Sequence, residues 1–249
     1  MRPLIAKIKP ASGFSRFFHL GFNIFLPILV FVLVRMSFVQ LAFVVILLSK
    51  WRMFAVRPRF WLVNIRANAV DIMVGVSLLL FMSHTGSQLV QMLWALAYIG
   101  WLVYIKPGST LLFSSIQAMI AMLCALMALF LSWGAGPLYG LVAMVGLICY
   151  LSAHHFLDSF EEPYTRLLSY LWAYFGAALA WILGHWLLFY GIVSQPALLL
   201  VAIGYGLATL YYLDHHERLT KNIQRQCIFI MAAVIIVVIT FSDWGDKIV

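Results

Sequence analysis

The chain has 249 residues, of which 65% are apolar and 10% charged, with a mean hydropathy of +1.01. Soluble domains run near half apolar and a quarter charged, so water is excluded as the solvent of this chain, and disorder, which needs low hydrophobicity and high net charge, is excluded with it. Sixteen Lys and Arg against eight Asp and Glu give a formal charge of +8, which cations gathered in cytoplasmic loops account for without nucleic acid as a partner.

The composition predicts an all-α polytopic transmembrane bundle, one membrane domain over residues 1–249 with no soluble domain. A helix rises about 1.5 Å per residue, so roughly 20 apolar residues cross about 30 Å of hydrocarbon. Nine runs qualify in chain order: Phe17 to Val34, Met36 to Ser49, Ala67 to Ser83, Leu89 to Ile105, Thr110 to Ser132, Leu138 to Leu157, Leu167 to Tyr190, Ala197 to Leu213, and Cys227 to Ser242. Turn chemistry separates several of them, as in Lys106-Pro107-Gly108-Ser109 and Gly134-Ala135-Gly136-Pro137.

The first two runs read either as one long tilted helix or as a short hairpin turning near Arg35. Charge favours the hairpin. It puts Arg2, Lys7, Lys9 and Arg16 on the same side as Lys50, Arg52, Arg57, Arg59 and Arg66, as the positive-inside rule requires. Each arm is short for a full crossing, so the pair is expected to be thin or partly re-entrant. The basic, apolar amino end resembles a signal peptide, but its run is long, contains Pro27 and lacks a small-x-small site before Arg35, which predicts a retained helix.

Further loops alternate. Lys106, Arg166, and then Arg218, Lys221 and Arg225 fall on the inner side, while loops 84–88, 133–137 and 191–196 carry no Lys or Arg. Nine spans follow, with the amino end in the cytoplasm and the carboxyl end outside.

Candidate functional residues are sparse. Trp51 to Arg66 interleaves aromatics with Arg52, Arg57, Arg59 and Arg66. That mixture suits an interfacial element gripping anionic lipid headgroups, and equally a plain inner loop with an aromatic belt. Asp71 lies one turn into the third span, either as a proton or ion site or as a snorkelling partner of Arg66. His185 and Gln117 read as helix-to-helix hydrogen bonds.

Gly176, Ala180 and Gly184 form a small-residue stripe for close helix packing within the chain or in a homo-oligomer. Cys124, Cys149 and Cys227 have no metal or redox spacing and read as small core residues.

The densest polar set lies at the inner ends of spans six and eight: His154, His155, Asp158, Glu161, Glu162 and Arg166 on one side, and Asp214, His215, His216 and Glu217 on the other. If the helix runs on to Pro163, His154, Asp158 and a glutamate share one face. Imidazoles with carboxylates can bind a metal or move protons; they also serve as a solvated, locally paired loop. The two ends are expected to approach each other, because their carboxylates need histidine, arginine or a cation nearby.

Glu161-Glu162-Pro163-Tyr164-Thr165-Arg166 resembles the EExxxR motif of CAAX-type intramembrane proteases, and Trp181 to His185 resembles their aromatic-xxx-His motif. That resemblance implies a metal-dependent or protease-like membrane enzyme. The geometry opposes it, since Glu161 and His185 lie about 36 Å apart along essentially one helix. Ser49 to Pro58, Arg66 to Asp71 and His185 to Tyr190 are similar to multi-span proteins of ultra-small candidate-phylum (Saccharibacteria-like) bacteria. This second resemblance implies a bacterial cytoplasmic membrane and no particular activity.

No nucleotide loop, haem motif or lysine suited to a Schiff base in the last span stands in the chain, so no cofactor is expected. The leading expectation is a non-enzymatic protein, either a small transporter or a helical subunit of a membrane assembly, embedded among anionic lipids.

Overall fold

The structure is a computed structural model that describes residues 13–55, 57–134, 136–184, 189–190 and 193–241, with side chains from Leu20 onward except at Arg52, Phe189, Tyr190 and Val193. Within these residues the regular structure is helical apart from a two-residue antiparallel ladder, β1 (Phe189–Tyr190) on β2 (Val193–Ser194).

The helices are α1 (Gly13–Arg35), α2 (Val39–Leu48), α3 (Trp61–Ala67), α4 (Ala69–His84), α5 (Gln88–Gly100), α6 (Leu111–Trp133), α7 (Leu138–Ser159), α8 (Thr165–Gly184), α9 (Gln195–His215) and α10 (Lys221–Thr240). A π-helical turn, Trp101–Ile105, extends α5.

Each of the nine expected runs contains a helix among its described residues, but the helix lengths differ. Six helices are long and apolar enough to cross a membrane: α5 with its π turn, then α6 to α10. A seventh is the pair Pro58–Ala67 and Ala69–His84 if that pair, bent by 65° at Asn68, counts as one span. Leu20–Arg35 and α2 are shorter. The ten residues of α2 rise only about 15 Å, half the hydrocarbon thickness. Nine full crossings are therefore more than helix length alone supports.

The hairpin reading of the first two runs agrees with the structure. The chain reverses at Met36-Ser37-Phe38, where Ser37 has φ +64°. The Phe38 N–H donates to Leu33 O and the Ser37 N–H to Val34 O, which is a Schellman closure with serine in the left-handed position glycine usually takes. α7 and α9 end the same way. Glu161 and Glu217 both have φ +54°, with Glu162 N–H on Leu157 O, Glu161 N–H on Asp158 O, Arg218 N–H on Leu213 O and Glu217 N–H on Asp214 O. The expected run of span six to Pro163 is thus corrected: α7 stops at Ser159, and its glutamates leave the helical face that carries His154 and Asp158.

α6 is the centre of the bundle. Ala121 and Ala128 on one side of it join the core formed by α1, α2, α4 and α5. Met122, Leu126 and Phe130 on another join the core of α7, α8 and α9. Small residues set the closest approach: Gly176 leaves no room for a Cβ against Cys149, and Ala180 is 1% exposed. The small-residue stripe of α8 therefore faces α7 within the chain. α10 buries only Val238 among its described residues.

Candidate functional site

Asp71 is the organising residue. It sits in the first turn of α4 and is buried, 7% exposed. Lys50, just past the end of α2, forms an ion pair with its Oδ2, and Lys106, just past the π turn, places its ammonium 2.6 Å from the same oxygen. The Trp101 indole N–H donates to Oδ1 at 2.9 Å. Both carboxylate oxygens are thus engaged, by three side chains from two segments distant in sequence. The expected partner, Arg66, is not among them: its guanidinium turns to the Tyr150 hydroxyl at 3.5 Å.

The local fold explains the convergence. Residues five apart on an α-helix stand about 140° apart around its axis. The wider turn from the Trp101 carbonyl to the Lys106 N–H, at 2.9 Å, narrows that angle and turns both side chains towards Asp71. Gln117 on α6 holds this turn from outside, its Nε2 donating to the carbonyls of Ile105 at 2.7 Å, Gly108 at 3.1 Å and Lys106 at 3.3 Å. One turn beyond Asp71, Gly75 lets the Tyr98 hydroxyl lie 2.8 Å from where a Cβ would stand, with Ile46 of α2 at 3.2 Å. A side chain at position 75 would push α2 and α5 off α4 and separate the charges below.

The site carries surplus positive charge, two ammonium groups on one carboxylate. The Lys50 and Asp71 side chains are each 9% exposed, whereas that of Lys106 is 37% exposed. Burial pulls the Lys50 ammonium below its ordinary pKa, against the opposing pull of Asp71. Beside the lysines lies a cavity of about 430 Å³ whose wall includes Asn23, Ser49, Asn68 and Trp51. A lysine ammonium has three donors and no acceptor, so Lys50 and Lys106 retain donors for a further acceptor.

The His and carboxylate set behaves differently. Phe160 at the end of α7 meets Tyr211 and His215 of α9, with ring centroids 5.2 and 5.0 Å apart, and the Tyr211 hydroxyl donates to Glu162. The two helix ends touch through aromatic rings. His155 points away from them, its Nε2 lying 3.2 Å from Gln117 Oε1 and 3.4 Å from Ser114 Oγ on α6. His154 is buried beside Tyr150, with centroids 5.8 Å apart.

His216 packs on Tyr212, and Asp158, Glu161, Arg166, Asp214 and Glu217 are exposed. Among the described residues no group of three His, Cys, Asp or Glu could hold a metal ion. His185 lies outside the described residues.

In the arginine segment Arg57 and Arg59 are exposed, Arg59 stacking on Phe60 at 4.6 Å. The side chain of Arg52 lies outside the described residues. Sequence reasoning missed Lys50, Lys106 and Trp101. The only signal available was a carboxylate inside an apolar run with lysines just beyond two others. No family model matches this chain, and no curated protein or solved structure is significantly similar to it.

Proposed function

We propose that this chain is a protein of the bacterial cytoplasmic membrane that binds a small monovalent anion at Lys50, Asp71 and Lys106 and passes it across the bilayer. One observation carries the reading: two lysines in the wall of a cavity share a single buried carboxylate behind it. An uncompensated charge near hydrocarbon is costly and marks ion pathways, and one bound monovalent anion would neutralise the centre. Nine segments entering the membrane, with the amino end inside, fit the distribution of Lys and Arg between loops. The exposed Arg57 and Arg59 suit contact with anionic headgroups at the inner surface.

The test is thermal stability of the purified protein in detergent. Chloride, nitrate or formate replaces gluconate at constant ionic strength, followed by flux of the best ligand in liposomes. A saturable rise in melting temperature that Lys106→Gln removes, together with flux, is expected. No rise with any of these anions overturns anion binding. A rise without flux overturns transport and leaves a non-transporting, anion-binding subunit of a membrane assembly. Topology is checked separately by labelling single cysteines from outside in a background lacking Cys124, Cys149 and Cys227. Position 87, which is exposed, should react and positions 57, 166 and 221 should not; labelling at 221 overturns nine crossings.

A further inference from the structure

A second cavity, of about 420 Å³, lies between α6, α7, α8 and α9, away from the ion site. Its volume is within the range of about 300–1,000 Å³ typical of small-molecule sites. The wall is almost wholly carbon, with Met122 and Trp172 at its back. α8 leans on α7 and α9 on α6, and the two barely touch each other. The rim residues between them, Leu171 and Leu207, are 56% and 47% exposed. In a membrane-spanning chain that mouth faces hydrocarbon.

One polar atom in the wall is unexplained. Ser152 is 1% exposed, and its hydroxyl has no hydrogen-bond partner. A serine inside a helix usually bonds the carbonyl four residues back, as Ser77, Ser115, Ser132 and Ser169 do here. Ser152 does not, although leaving a buried hydroxyl unsatisfied is destabilising. It lies seven residues before the end of α7, roughly 10 Å along the helix.

We infer that this crevice is a lipid site holding one acyl chain of a glycerolipid, with the Ser152 hydroxyl donating to the chain's ester carbonyl. The occupant follows from the surroundings. Acyl chains are the solvent at the mouth, an empty apolar void forfeits dispersion contacts on every wall, and methionine thioethers adapt to a flexible chain. The ester supplies the single acceptor that the single orphaned donor requires.

The probe is palmitoyl-oleoyl phosphatidylglycerol added to delipidated full-length protein, with its ether-linked analogue, which lacks the carbonyl, as control; native mass spectrometry counts bound lipid. One saturable ester lipid per chain is expected. Ser152→Ala should weaken it about fivefold, the equivalent of one hydrogen bond of ~1 kcal/mol, and should bind ester and ether forms alike. Ala208→Trp, which fills the crevice, should abolish binding. Equal binding of ester and ether lipids by the unaltered protein overturns the carbonyl contact, and undiminished binding in a folded Ala208→Trp overturns the site. Should Ala208→Trp fail to fold, the Ser152→Ala comparison decides alone. A retained quinone or isoprenoid mass that phosphatidylglycerol cannot displace also overturns the assignment.

Discussion

Trp101 and Lys106 grip opposite oxygens of one carboxylate, Asp71, although five residues separate them along the chain. A regular α-helix would aim one of them away. The π turn between them is what makes the site, and π turns of this kind are frequent at functional positions.

Removing the carboxylate should therefore cost more than removing the whole pair. Asp71→Ala leaves Lys50 buried without its counter-charge, and breaking a buried pair from one side typically costs about 3–5 kcal/mol. The melting temperature in detergent should fall sharply. The double variant Asp71→Leu with Lys50→Met should recover most of that loss, because an apolar replacement of a buried pair is often neutral or stabilising. A double variant as unstable as Asp71→Ala would contradict this account.

Gly75 and Tyr98 should be coupled. A methyl group at position 75 meets the Tyr98 hydroxyl first, at 2.8 Å, and the ring carbon behind it only at 3.4 Å. Gly75→Ala is expected to lose about 1–3 kcal/mol through overpacking. Tyr98→Phe should restore part of it when combined with Gly75→Ala while giving no gain alone. Additive losses in the double-mutant cycle would mean that Ile46, not Tyr98, sets the spacing.

The bundle was legible because apolar runs, charged loops and turn residues all repeat on the scale of a membrane crossing. Even the hairpin at Ser37 followed from charge placement. The site was not legible, for three physical reasons. A π turn leaves no mark in the pattern of Trp101-Leu102-Val103-Tyr104-Ile105. Lys50 and Lys106 look like any inner-loop cation until tertiary packing brings them to Asp71. The helix stop at Glu161 carries no glycine, so the sequence suggests a helix continuing to Pro163 and a shared His and carboxylate face, which the left-handed turn breaks.

Such turns give a stabilising prediction. A non-glycine residue in the left-handed region is strained by about 1–2 kcal/mol relative to glycine. Glu217 is exposed and has φ +54°. Glu217→Gly should raise the melting temperature, whereas Glu217→Ala, which keeps the strain, should not. Equal behaviour of the two variants would assign the effect to charge.

Gln117 links the second polar feature of the bundle to the first. Its amide nitrogen serves the carbonyls of Ile105, Lys106 and Gly108, and its oxygen faces His155 on α7. Gln117→Leu would keep the approximate volume but orphan carbonyls in the turn that aims Lys106, each at a cost of about 1–3 kcal/mol if it stays buried. The turn should relax towards a regular helix and carry Lys106 away from Asp71. Anion stabilisation should then weaken in Gln117→Leu although no residue touching the cavity has changed. Gln117→Glu separates the two roles: it removes the amide donors but keeps an acceptor for His155. If the turn is what matters, Gln117→Glu should lose anion stabilisation as Gln117→Leu does. If the His155 contact matters instead, Gln117→Glu should retain it, and His155→Phe should lose it.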